Sequence, residues 1–167
     1  MSNIDPKQAE RVWSRVMGAS CQISDAPKQN PQMREQKPAL NEEMLLDLIE
    51  DELHDHATYC HLACMACGCV RRTLQSIAAD EKRHAKMLSA MYYILTGKKA
   101  CPEPARPACV ACLNEALREQ YAGELKGHRQ YAELAQRAGE HACTFESLAA
   151  DECRHAQMLY ALLQHCL

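Results

Sequence analysis

The sequence predicts an all-α protein: an antiparallel four-helix bundle preceded by a short helix. Three observations carry this. Aromatic residues make up 5% of the 167 positions and glycine only 6 of them, where sandwiches and barrels use more of both. Apolar residues recur at helical spacing in four long stretches separated by Gly and Pro. The second half of the chain also repeats the first, so one helix pair is used twice.

The elements follow in order. Asp5 caps a short helix with Pro6 at its first position; Val12, Trp13, Val16 and Met17 form its apolar face, and Gly18 ends it. Residues 19–39 are polar and broken by three prolines, which predicts a linker. The domain division is therefore 1–40 for helix and linker, and 41–167 for the bundle. Asn41 caps the first long helix, with Glu42 and Glu43 at the positive end of the helix dipole. Its inner stripe runs Leu45, Leu48, Ile49, Glu52, His56, Tyr59 and Ala63, and Gly68 marks its end. The second helix covers about Val70 to Leu95, with Ile77, Leu88, Met91 and Ile94 inward, and stops at Gly97. Residues 98–108 hold three prolines and form an extended connection. The third helix covers about Val110 to Arg137, ending before Gly139, and the fourth runs from about Cys143 to the C-terminus.

Composition excludes some functions. With 19 Lys+Arg against 22 Asp+Glu the net charge is −3, too balanced for binding nucleic acid through phosphate neutralisation. No run of 18 apolar residues exists to span a membrane, and MSNIDPKQAE has no apolar signal region, so a cytoplasmic chain is expected. The eleven cysteines then fit free thiols, metal ligands or redox work better than a disulfide framework.

The repeat carries the chemistry. Glu52-Leu53-x-x-His56-x-x-Tyr59-x-x-Leu62-Ala63 matches Glu124-Leu125-x-x-His128-x-x-Tyr131-x-x-Leu134-Ala135, and SIAADEKRHAKML at 76–88 matches SLAADECRHAQML at 147–159. In Glu81-x-x-His84 and Glu152-x-x-His155 the two side chains stand one turn apart on one face, so both can reach one ion. Glu52 and Glu124 interrupt apolar stripes, where a buried carboxylate is expensive unless cations offset its desolvation. Four carboxylates and two imidazoles suit iron or manganese better than a closed thiolate zinc site.

In its order Glu, Glu-x-x-His, Glu, Glu-x-x-His, the chain resembles the ferritin-like di-iron carboxylate superfamily over residues 41–167, and within it the rubrerythrin/bacterioferritin branch. The resemblance implies a bundle with a long crossover between helices two and three. It implies two Fe ions, or Mn, held by Glu52, Glu81, His84, Glu124, Glu152 and His155, with Glu81 and Glu152 bridging and Glu52 and Glu124 terminal. It implies that Asp80 and Asp151 accept hydrogen bonds from the ligand histidines of the opposite helix, Asp80 from His155 and Asp151 from His84. Tyr59 and Tyr131 are the catalytic candidates: each can hydrogen-bond a ligand glutamate or pass an electron to the oxidant, with a plain core role as the alternative. His56 and His128 are open between ligation, hydrogen bonding to ligands and packing. Rubrerythrins proper carry a further carboxylate three residues after the third-helix Glu, where this chain has Gly127, which puts that family's redox-linked ligand swap in doubt.

A ferritin-type crossover is feasible, because helix two is about 38 Å long and residues 96–109 reach about 45 Å extended. It gathers Cys64, Cys67, Cys69, Cys109, Cys112 and Cys166 at one end. The pairs Cys64-x-x-Cys67 and Cys109-x-x-Cys112 then form a candidate thiolate site for Zn or Fe, with a disulfide or reduced thiols as the other readings. Cys60, Cys143 and Cys153 read as small apolar fillers.

The expected function is that of a di-iron oxidoreductase of the oxidative-stress type, a rubrerythrin-like peroxidase or ferroxidase. No complete rubredoxin module is present, so electrons must come from an external donor protein, rubredoxin-like or flavin-bearing. A homodimer is expected. The rival readings are a manganese-loaded, catalase-like protein and an iron-handling or interaction protein without turnover.

Overall fold

A computed structural model describes residues 40–165, and the side chains of 40–164. The predicted helix around Trp13, the linker and Cys166 lie outside the described residues. Four long helices follow in order: α1, Glu42–Met65; α2, Gly68–Thr96; α3, Leu113–Ala135; and α4, Ala142–His165. A short 3-10 turn, Gly139–His141, leads into α4. None of these helices is long and apolar enough to cross a membrane.

α1 starts where its sequence directs. Asn41 is extended (φ −133°), and its Oδ1 accepts a hydrogen bond from the Met44 amide at 2.8 Å. That satisfies one of the donors a helix start leaves free. The end of α1 differs from expectation: the helix stops at Met65, and Gly68 opens α2 instead of closing α1. Gly68 has φ +56°, a conformation only glycine takes without strain, so two residues make the reversal. Arg71 completes the turn. Its Nε donates to the carbonyls of Ala63 (3.1 Å) and Ala66 (2.8 Å), which the end of α1 leaves free.

α2 ends as expected at Gly97, whose N–H bonds the Tyr93 carbonyl at 2.8 Å. One inward assignment is corrected: Ile94 is 72% exposed, and Tyr92 takes the buried place beside Met91. Residues 97–112 then run without helix along α1. The Glu103 amide donates to Glu50 (2.9 Å) and the Ala108 amide to the buried Thr58 hydroxyl (3.1 Å). The chain therefore advances in the same direction as α1, which is the long crossover. α3 begins at Leu113 and not at Val110, because Cys109–Ala111 still belongs to this extended strap and Cys112 is the N-cap.

α1 packs along α2, α3 packs along α4, and α2 meets α4 across the bundle. The interior consists of two apolar halves. One is built from Tyr59, Leu62, Leu74, Ile77, Leu117 and Leu159, the other from Leu45, Ile49, Leu88, Tyr131, Phe145 and Leu148. A layer of buried charged and polar side chains comes from the middle of all four helices. The apolar halves supply most of the stabilisation, at about 25 cal/mol per Å² buried, and they exclude water around the polar layer.

Candidate metal centre

The layer is made of Glu52 on α1, Glu81 and His84 on α2, Glu124 on α3, and Glu152 and His155 on α4. All six are at most 6% exposed. They form two overlapping groups, Glu52/Glu81/His84/Glu152 and Glu81/Glu124/Glu152/His155. Within each group, one potential ligand atom per residue lies within 4.8 Å of all the others. Glu81 and Glu152 are in both groups, each one helical turn from its own histidine. The His84 and His155 rings stack with centroids 5.7 Å apart.

The imidazoles are held from behind. His84 Nε2 lies 3.2 Å from Asp151, and His155 Nε2 lies 3.3 Å from Asp80. That leaves the Nδ1 atoms facing the carboxylates. His84 Nδ1 is 3.2 Å from Glu52 and 3.0 Å from Glu81; His155 Nδ1 is 2.8 Å from Glu81 and 3.4 Å from Glu124. A nitrogen fixed by a carboxylate on one side and turned to an acidic cluster on the other is the arrangement of a ligand imidazole. Two arginines that sequence reasoning passed over tie the aspartates together. Arg83 bridges Asp80 (2.8 Å) and Asp151 (3.0 Å), and Arg154 bridges Asp151 (2.7 Å) and Asp80 (3.0 Å). Burial raises both aspartates, but bonds to Arg83 and Arg154 and to a histidine outweigh it, so both are held below the usual carboxylate range. The signal was in the repeat, where Arg83 and Arg154 occupy matching places.

The tyrosines cross between the helix pairs. Tyr59 on α1 donates to Glu124 on α3, and Tyr131 on α3 donates to Glu52 on α1. Burial, followed by the adjoining carboxylates, holds both phenols well above their ordinary pKa, so they stay protonated. His56 and His128 are placed differently. Each ring Nδ1 bonds a backbone carbonyl of the neighbouring helix, Ala78 at 2.7 Å and Ala149 at 2.8 Å, and neither joins the two groups.

The thiolate site is corrected. Cys64, Cys67, Cys109 and Cys112 are exposed free thiols, and among the described residues no cysteine belongs to a group able to hold an ion. The helix ends do converge as expected. However, Cys67 and Cys112 are N-cap residues and Cys109 lies in the strap, and all four cysteines of the two pairs are exposed. Cys60 and Cys143 are also exposed, so they are not fillers.

Four buried carboxylates in one layer repel each other. Desolvation pushes Glu52 up to about 7 and Glu152 up to about 9. Burial pushes Glu81 up too, but its interactions with the His155 and His84 imidazoles outweigh it and it falls to about 2. Burial opposes the charge on His84 and His155, yet the surrounding glutamates raise them to about 12 and about 10. Without a cation the layer therefore holds protons in its place. The donor set fits a metal pair on direct evidence. Glu81 Oε1, Glu124 Oε2, Glu152 Oε1 and His155 Nδ1 are buried with no hydrogen-bond partner. Of these, His155 Nδ1 and Glu81 Oε1 stand 2.8 Å apart as an ion pair whose angle falls short of a hydrogen bond.

One side of the layer is open. A cleft of about 170 Å³ between α1 and α3 reaches Glu52, Tyr131 and Glu152 past Asp55, Gly123 and Gly127. Asp55 is pushed up to about 8 by burial and by Glu124, Glu81 and Glu52.

Fold and centre together define a class: a four-helix protein whose facing helices bring carboxylates and histidines into two overlapping groups able to hold metal ions. Residues 115–166 match the rubrerythrin family model, a stretch that includes Glu124, Glu152 and His155. The match supports the rubrerythrin-like branch of the ferritin-like di-iron proteins, and with the buried cluster it fits a di-iron protein. No curated protein and no solved structure matches the chain.

Proposed function

We propose that this chain is a di-iron redox protein that reduces peroxide or dioxygen with electrons from an external donor protein, rubredoxin-like or flavin-bearing. The observation that carries the reading is the pair of overlapping Glu/His groups sharing Glu81 and Glu152 in a water-excluding core. Two Fe(II) ions bound there would supply the electrons that an O–O bond takes up when it is reduced. Glu81 and Glu152 would bridge, Glu52 and Glu124 would be terminal, and His84 and His155 would bind through Nδ1.

The chain's own residues do the rest. Asp80 and Asp151 keep each imidazole Nδ1 turned inward. Tyr59 and Tyr131 point their hydroxyl protons at Glu124 and Glu52 respectively, close to where reduction to water consumes protons. The cleft between α1 and α3 gives a small oxidant a way toward Glu52 and Glu152. We assign the protein a homodimeric state, which gel filtration of the full chain checks.

The test is anaerobic loading with Fe(II) followed by stopped-flow mixing with hydrogen peroxide or with dioxygen. The expected result is a rapid absorbance change with at least one of them; a flat trace with both rejects the reading. Metal analysis of protein isolated without oxygen should find iron. Manganese there would move the reading to peroxide dismutation.

A further inference from the structure

The helices form a ring in the order α1, α2, α4, α3, because α1 packs on α2, α3 on α4, and α2 meets α4. The α1/α3 face and the α2/α4 face are therefore opposite sides of the bundle, and their charges differ. α1 has no Lys or Arg. Glu43, Asp47, Asp51 and Asp55 line the clefts on its α3 side, where Lys126 is the only Lys or Arg. The other face is basic. Arg72, Lys82, Arg83 and Lys86 are exposed on α2. At about 100° per residue, Arg72 and Lys86 project within about 60° of Arg83 around the helix. Arg83 and Arg154 tie α2 to α4 through Asp80 and Asp151, yet their side chains stay 48% and 42% exposed. The two aspartates offset two of these positive charges and leave Arg72, Lys82 and Lys86.

This basic face also lies directly behind the candidate ligands. His84 and His155 are fully buried, and one carboxylate separates each from the exposed arginines. Asp151 stands 3.2 Å from His84 Nε2 and 3.0 Å from Arg83; Asp80 stands 3.3 Å from His155 Nε2 and 3.0 Å from Arg154. A protein that carries electrons cannot enter the 170 Å³ cleft. It needs an open surface close to the centre. An acidic protein is repelled by the α1 side and drawn to the α2/α4 side.

We propose that the α2/α4 face, centred on Arg83 and Arg154 and flanked by Arg72, Lys82 and Lys86, is the docking surface for an acidic electron-donor protein. Electrons and oxidant then enter from opposite sides of the bundle. The donor's carboxylates meet the guanidinium and ammonium groups, and its redox group faces Asp80 and Asp151. Each electron passed there takes one ferric ion to ferrous and neither makes nor breaks a bond. This rests on the di-iron reading and adds to it the place and charge of the partner.

Carbodiimide cross-linking decides it, with oxidised flavodoxin, a small acidic flavoprotein, as the probe. The reagent joins a carboxylate to a lysine amine only where the two already touch. The full chain is treated at about 0.01 M and about 0.15 M ionic strength, which shortens the Debye length from about 30 Å to about 8 Å. Peptide mapping should place the cross-links on Lys82 and Lys86, with a yield that falls several-fold at the higher salt. Arg72→Glu/Lys86→Glu changes no residue of the layer and neither arginine bonded to it, and should weaken calorimetric binding about tenfold. Arg118→Glu/Arg129→Glu makes the same charge change on exposed positions of α3 and should weaken it no more than about threefold. Cross-links concentrated on other lysines, equal effects of the two double variants, or no binding at low salt overturns the assignment. None of these outcomes bears on the di-iron reading, which the stopped-flow trace tests by itself.

Discussion

Asp151 has three partners at once: His84 Nε2 at 3.2 Å, Arg83 at 3.0 Å and Arg154 at 2.7 Å. Replacing it with alanine leaves the His84 ring free to turn and removes a negative charge between two guanidiniums. Asp151→Ala should weaken metal binding about tenfold or more, and Asp151→Asn, which keeps an acceptor oxygen, should recover part of the loss. Equilibrium titration with Co(II) measures both, and Asp80 should behave likewise through His155. The duplicated Asp-Glu-x-Arg-His, through the family resemblance it carries, made the crosswise aspartate–histidine arrangement legible. An Asp beside Arg reads equally as a surface ion pair, and Asp80 and Asp151 are both things at once, which one-dimensional spacing does not reveal. Tyr131 gives a second prediction. Tyr131→Phe removes the donor from buried Glu52, and should cost the metal-free chain about 1.5–3 kcal/mol in chemical denaturation, as for a hydrogen bond to a charged group. The loaded variant should keep its Fe(II) stoichiometry and oxidise more slowly; an unchanged rate would leave Tyr131 a purely structural role.

At the level of elements, α3 sets the shape of the cleft. Gly127 lets its backbone come up to Glu152, so Gly127→Ala must displace that carboxylate. The expected outcome is a folded helical protein, by circular dichroism, that binds one metal equivalent firmly where the parent binds two. The strap between α2 and α3 is held to α1 by the bond from the Ala108 amide to Thr58. Thr58→Val should cost about 1 kcal/mol and speed proteolytic cleavage within residues 98–112, a loss a buried methyl does not restore. The four helices were legible because capping and period repeat along them: Asn41 and Gly97 sit at the predicted ends. The start of α3 was not. Val110 continues the apolar pattern, but its partners are the bundle interior at the end of the strap and not a helix turn. The same blindness produced the thiolate expectation: spacing within each C-x-x-C is local, while whether two such pairs form one group depends on where each helix begins.

Across the whole molecule, the polar layer makes stability depend on pH in a direction that metal reverses. Without metal, the folded chain holds Glu52 at about 7 and Glu152 at about 9, against 4.5 for an unperturbed glutamate. It holds His155 at about 10 and His84 at about 12, against 6.5. All four folded-state values are raised, so the folded chain binds more protons than the unfolded chain between about pH 6.5 and 9. That contribution is complete below the unfolded values and is lost as pH rises. The lowered groups, Glu81, Asp80 and Asp151, act only in acid, where their stabilisation disappears as pH falls. Melting of the metal-free full chain should therefore move down from pH 6.5 to 9 by at least about 3 °C per pH unit, the shift expected for one proton in a chain of this size. With two divalent cations in place the same protons have already left, and attraction replaces repulsion. The gain in melting temperature on loading should then grow with pH, because fewer protons compete for the ligands. Thermal scans at matched pH with and without Co(II) measure this difference. A metal-free melting point that rises over the same range would mean Glu52, Glu152, His84 and His155 do not hold these protons, and the layer would then be an ordinary network of ion pairs.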